Sequence, residues 1–176
     1  MSFQIMKKAM IGAAGAVALM GAVSAQALTL TPATADGQSY TFAGTTELSL
    51  GGLSATCGLS ITGFIDAASE TINVTNNSVT GAFPCNTVEI DNFDVGDVSN
   101  VDSNGGQVTF NGLDVTVGFL FSCNNGTVTA DFVNDGANPS YFTIPSQSFG
   151  SCSLETTTPL AIDPVSSYST DVNVSP

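Results

Sequence analysis

The chain is 176 residues long, with fifteen carboxylates, two lysines and no histidine, for a formal net charge of −13. Without histidine there is no Ser-His-Asp or Cys-His nucleophile pair and no imidazole-ligated zinc or copper. With no base beyond Lys7 and Lys8 nothing neutralises phosphate, so nucleic acid is repelled, and so is an anionic membrane surface unless divalent cations bridge the two.

Residues 1–27 have the layout of a secretory signal peptide: Lys7-Lys8, the apolar run from Ala9 to Val23, then Ala25-Gln26-Ala27 as a cleavage site. That run is too short, and too rich in Ala and Gly, to favour a transmembrane anchor. Cleavage after Ala27 (or Ala25) leaves about 149 residues, one ordinary domain over 28–165 with a polar tail at 166–176. The expected location is therefore secreted, extracellular or periplasmic. The mature protein would contain no Lys or Arg, so trypsin is expected to leave it whole even when reduced and denatured. A cut seen by mass spectrometry would mean that the leader was retained.

Apolar residues make up 43% of the chain and charged ones 10%, with Thr, Val and Phe plentiful and Gly and Asn between short apolar runs. This is the composition of strands and tight turns. Tyr40–Ala43 and Glu47–Leu50 are predicted as the first strands. Leu53 to Thr62 alternates with period two, Leu53, Ala55, Cys57, Leu59 and Ile61 on one face and Ser, Thr and Gly on the other. Thr71–Val74 and Val88–Ile90 follow. Asp91, Asp94, Asp97 and Asp102, with Asn92, Asn100 and Asn104, form an acidic stretch predicted to be a solvated connection. Calcium is the alternative, although the order fits neither the EF-hand nor the RTX nonapeptide.

Between Gln107 and Val133 two Asn-Gly pairs, Asn111-Gly112 and Asn125-Gly126, suit two-residue type I′ turns. Turns there predict a three-stranded meander that pairs Phe110 with Leu113, Val108 with Val115 and Phe121 with Ala130. Val117, Phe119, Phe121 and Cys123 would then share the core face, with Asp114, Thr116, Thr129 and Asp131 outward. Tyr141–Ile144 and Leu154–Ile162 close the domain, and beyond Asp163-Pro164 the tail is expected to fray. Many short strands with frequent turns predict an all-β fold, an antiparallel two-sheet sandwich. Phe42, Phe64, Phe83, Phe93, Phe142 and Phe149 fall near turns or strand ends. Most are expected in the core, and any exposed together would make an apolar patch.

Cys57, Cys85, Cys123 and Cys152 are the only cysteines, an even number in a chain bound for an oxidising compartment. Three pairings are open. Sequential pairing is preferred because it divides the chain into two similar halves, ending Gly81-Ala82-Phe83-Pro84-Cys85 and Ser148-Phe149-Gly150-Ser151-Cys152. The absence of any C-x-x-C pair disfavours zinc. The sequons at Asn73, Asn76 and Asn125 arise readily by chance in a chain so rich in Asn and Thr.

Tyr40-Thr41-Phe42-Ala43-Gly44-Thr45, then Gly51-Gly52-Leu53-Ser54-Ala55-Thr56-Cys57, Ile61-Thr62-Gly63, Val79-Thr80-Gly81, and Ile144-Pro145 leading to Cys152 and Pro159-Leu160-Ala161-Ile162, behind a signal peptide, form a layout. It resembles the alkane oxidation protein activator (PraB-like) family of small secreted bacterial proteins. The resemblance implies help in the use of long-chain alkanes from outside the cell, and it carries no catalytic motif. It does not reach the acidic insert Asp91–Gly106 or the polar tail.

The function expected is non-enzymatic, with no catalytic, metal or cofactor-binding residue assigned. Contact would be with hydrophobic substrate or a cell-surface component, self-association remaining open. The alternative is a subunit of a pilus, fibre or biofilm matrix, in which Leu28-Thr29-Leu30 completes a neighbour's sheet. A glycosidase working with carboxylates alone is a third class.

Overall fold

A computed structural model describes residues 27–119, 121–136, 138–163 and 171–176. Residues 1–26 of the predicted signal, and Pro164 with the first part of the polar tail, lie outside the described residues. The strands are β1 (Thr29–Thr31), β2 (Ser39–Leu50), β3 (Leu53–Asp66), β4 (Thr71–Thr80), β5 (Val88–Asp91), β6 (Val95–Asp102), β7 (Gly105–Val117), β8 (Phe121–Val133), β9 (Tyr141–Thr143), β10 (Gln147–Phe149), β11 (Cys152–Ile162) and β12 (Asn173–Ser175). No helix among them is long and apolar enough to cross a membrane.

The architecture is a closed antiparallel barrel, not the predicted two-sheet sandwich. The strand order β11-β2-β3-β4-β6-β7-β8-β9 returns on itself because β9 pairs with both β8 and β11. The sandwich rested on short strands, and the strands are long: β2, β3, β7 and β8 have 12, 14, 13 and 13 residues. Strands of that length coil far enough to meet. Tyr40–Ala43 and Glu47–Leu50 are two parts of the one strand β2.

The meander over Gln107–Val133 is also corrected. β7 and β8 form a single hairpin, Gly105 opposite Val133 and Val117 opposite Phe121, turning at Gly118-Phe119. Each Asn-Gly pair is instead a β-bulge. Gly112 has φ +76° and is the extra residue on β7, while Asn125 has φ +55° on β8, so the second bulge offsets the first. The Asp114 carboxylate holds them, accepting the Asn125 N–H at 2.7 Å and the Asn92 side-chain amide at 2.8 Å. Val108, Phe110, Leu113, Val115, Cys123, Val128, Ala130 and Phe132 are buried together as the alternation predicts.

The core lies inside the barrel. Phe42, Phe132 and Phe142 meet edge to face with centroids 4.7–6.2 Å apart, and Phe93 packs on Phe110 at 4.6 Å. Thr, Ser and Asn alternate outward, the reverse of the apolar outer band of a membrane barrel. The last residues do not fray: Asn173–Ser175 pair with Thr29–Thr31, burying Leu28, Leu30, Val172 and Val174. Leu28-Thr29-Leu30 thus completes a small sheet within its own chain.

At the β3–β4 turn, Asp66 accepts the Ala68 and Ser69 N–H groups, and the Ser69 bond foremost holds its carboxyl below the usual carboxylate range. On the outer wall Glu47 stands directly opposite Glu155. Glu155→Gln is expected to raise stability by roughly 0.2–1 kcal/mol by removing this like-charge pair. The urea midpoint at neutral pH measures it, and the gain should shrink at high salt, which screens the pair.

Two stretches of the barrel wall lack backbone pairing, both near the end carrying the β2–β3 and β7–β8 turns. β9 joins β8 to β11 only at the other end; here β10 and the Gln147 side chain, bonded to both the N–H and the C=O of Thr129, fill in. Likewise β5 pairs with β7 alone, and the Asn77 side-chain amide reaches the Ile90 carbonyl across the gap to β4. The disulfides Cys57–Cys85 and Cys123–Cys152, the sequential pairing, tie these two seams.

Candidate functional site: an apolar, uncharged end of the barrel

Three chain segments meet at that end. Leu50 and Leu53 are joined by Gly51-Gly52, whose φ values of +52° and +90° permit a two-residue hairpin. The segment Gly81–Pro84 leads into a 3-10 turn at Cys85–Thr87. The β7–β8 turn is held against it by the Gly118 N–H, which donates to the Thr87 carbonyl at 2.9 Å. A Cβ on Gly51 would lie 3.1 Å from the Phe121 ring, so the β2–β3 and β7–β8 turns touch.

This end exposes large apolar side chains, three of which the alternation would bury. Leu53 is 51% exposed, Phe83 67%, Phe119 98% and Phe121 37%. Leu53, Phe83 and Phe121 surround one small cavity with Pro84 and Val117. Among the described residues, Val95 on β6 is the other large hydrophobic this exposed. An exposed cluster of this kind marks contact with a partner or an apolar phase.

Charge avoids the same end. No carboxylate occurs at positions 48–65, 71–88, 115–130 or 136–154, the stretches that build it. Asp36, Asp66, Glu70, Asp102, Asp135 and Asp163 sit instead on turns and strand ends at the opposite pole. The barrel is amphiphilic along its axis. The disulfides brace the apolar pole, for Phe83 lies two residues before Cys85 and Phe121 two before Cys123.

The phenylalanines singled out from the sequence divide unevenly. Phe42, Phe93, Phe142 and Phe149 are buried, Phe64 is half-buried and Phe83 is exposed. Phe119 and Phe121, assigned to the core face, are corrected to the surface, because the chain turns at Gly118 and they fall on the turn and its flank. The carboxylate-free stretches around the cysteines were the signal that could have found them.

The acidic stretch is not a loop. Asp91 ends β5, Asp97 lies within β6 opposite Thr71 and Thr109, and Asp102 accepts the Asn104 N–H at 2.6 Å in the β6–β7 turn. Its oxygens are strung along a strand rather than gathered. Among the described residues no group of three or more His, Cys, Asp or Glu side chains is placed to hold a metal ion.

Residues 3–170 match a family model described as alkane oxidation protein activator PraA/PraB-like, and the match runs through the acidic stretch. No curated protein and no solved structure matches the chain.

Proposed function

The chain belongs to the PraA/PraB-like alkane oxidation protein activator family, and from that premise we propose that it is an exported, non-catalytic accessory of alkane oxidation. It works by adsorbing to hydrocarbon through the uncharged end of its barrel. The observation that carries this reading is the coincidence of Leu53, Phe83, Phe119 and Phe121 at a pole without carboxylates. Each apolar side chain moved from water into oil contributes roughly 1.5–3 kcal/mol. The acidic pole stays hydrated, so the molecule stands on the interface in one orientation. Two disulfides suit an oxidising extracellular or periplasmic location.

Adsorption of the purified secreted protein to a hexadecane–water interface, followed by interfacial tension, tests the proposal. A clear fall in tension is expected with or without calcium. An unchanged tension overturns it.

A further inference from the structure

Behind the apolar end the barrel interior is not fully packed. A void of about 20 Å³ lies at the end itself, between Leu48, Leu53, Phe83 and Phe121. A second, of about 30 Å³, lies deeper and shares Leu48 with the first. A third, of about 40 Å³, shares Leu59, Ile90, Leu113 and Leu154 with the second. The three run in file from the exposed tip into the core, and their walls are almost wholly apolar. Apolar voids of this kind stay dry and accept apolar guests.

We propose that this file is a second site, which takes the end of one unbranched alkyl chain entering from the apolar pole. The proposal rests on the interfacial reading only in that the interface delivers the chain. A water-sized group needs roughly 10–15 Å³ on this measure, so the voids hold about one to two, two to three and three to four such groups from the tip inward. The voids are separated by side chains rather than backbone: Leu48 between the first two, and the Leu59–Ile90–Leu113–Leu154 layer between the second and third. Rotamer changes at these leucines join them. Ile90 sits on β5, the wall strand paired on one side only, so the wall can yield there. Voids this small, joined end to end by side-chain rotation, suit a linear chain rather than a ring.

The test uses the full secreted protein with 13C-labelled Leu, Ile and Val methyl groups, in water saturated with n-hexane or cyclohexane and without an oil phase. Hexane is expected to shift the methyl resonances of Leu59, Ile90, Leu113 and Leu154, and cyclohexane to leave them in place. No shift at these residues, shifts confined to Leu53, or equal shifts with both hydrocarbons would each overturn the proposal. Ala130→Leu, which fills the wall of the inner void, should reduce the hexane shift while adsorption to hexadecane persists. Adsorption without methyl shifts overturns the inner site alone, whereas methyl shifts without adsorption overturn the interfacial reading alone.

Discussion

Replacing Leu53, Phe83, Phe119 and Phe121 together by serine should abolish the fall in hexadecane–water interfacial tension while the protein still folds cooperatively, with a melting temperature lowered by no more than about 10 °C. The two outcomes are separable because these side chains spend much of their surface in water already, 98% of it for Phe119. The fold therefore loses only the part they bury, most of it at Phe121 and Leu53, whereas the interface loses most of what holds the protein there. Transferring their exposed surface, equivalent to about two and a half side chains, into oil is worth roughly 4–8 kcal/mol. Every 1.4 kcal/mol is tenfold in affinity, so adsorption should weaken by several orders of magnitude. Phe119→Ser should have the largest single effect and Phe121→Ser, the least exposed, the smallest. A quadruple variant that still lowers the tension would place the contact elsewhere on the barrel.

The sequence discloses the inward face of the barrel wall more readily than the path of the chain around it. Leu53 to Thr62 declares its faces because alternation is a local property, and β3 buries Cys57, Leu59 and Ile61 as that alternation requires. Asn111-Gly112 and Asn125-Gly126 mislead because a left-handed backbone serves a bulge as well as a turn, and which one forms depends on the partner strand. That single ambiguity makes three strands of two and moves Phe119 and Phe121 from surface to core. Barrel closure is hidden for a related reason. It depends on three residues, Tyr141–Thr143, pairing on both sides at once, and nothing local to them records it. Of the apolar end, Phe83 is legible as a phenylalanine beside a turn. Leu53 is not, since alternation places it in the core and only the end of the barrel leaves it half in water.

Removal of the Cys123–Cys152 bridge by paired serine substitution should cost about 3–4 kcal/mol of stability, from the restriction that a 29-residue separation places on the unfolded chain. In a domain of this size that lowers the melting temperature by roughly 10 °C. The position of the bridge adds a local consequence. It spans the first turns of β8 and β11 where β9 does not reach, and only β10 and the Gln147 side chain remain to close that wall. Hydrogen exchange should therefore quicken along Cys123–Val128 and at Ser153 and Leu154, while the β2–β3 hairpin keeps its protection. The Cys57–Cys85 pair should behave in parallel, with a similar loss for its 28-residue separation and faster exchange in β5. In both variants the exposed phenylalanines lose their anchor, Phe121 beside Cys123 and Phe83 beside Cys85. Adsorption should then become slower and less oriented rather than disappear, since the apolar side chains remain. A stability loss below about 1 kcal/mol with unchanged exchange would mean that backbone and core packing close the seams without the bridges.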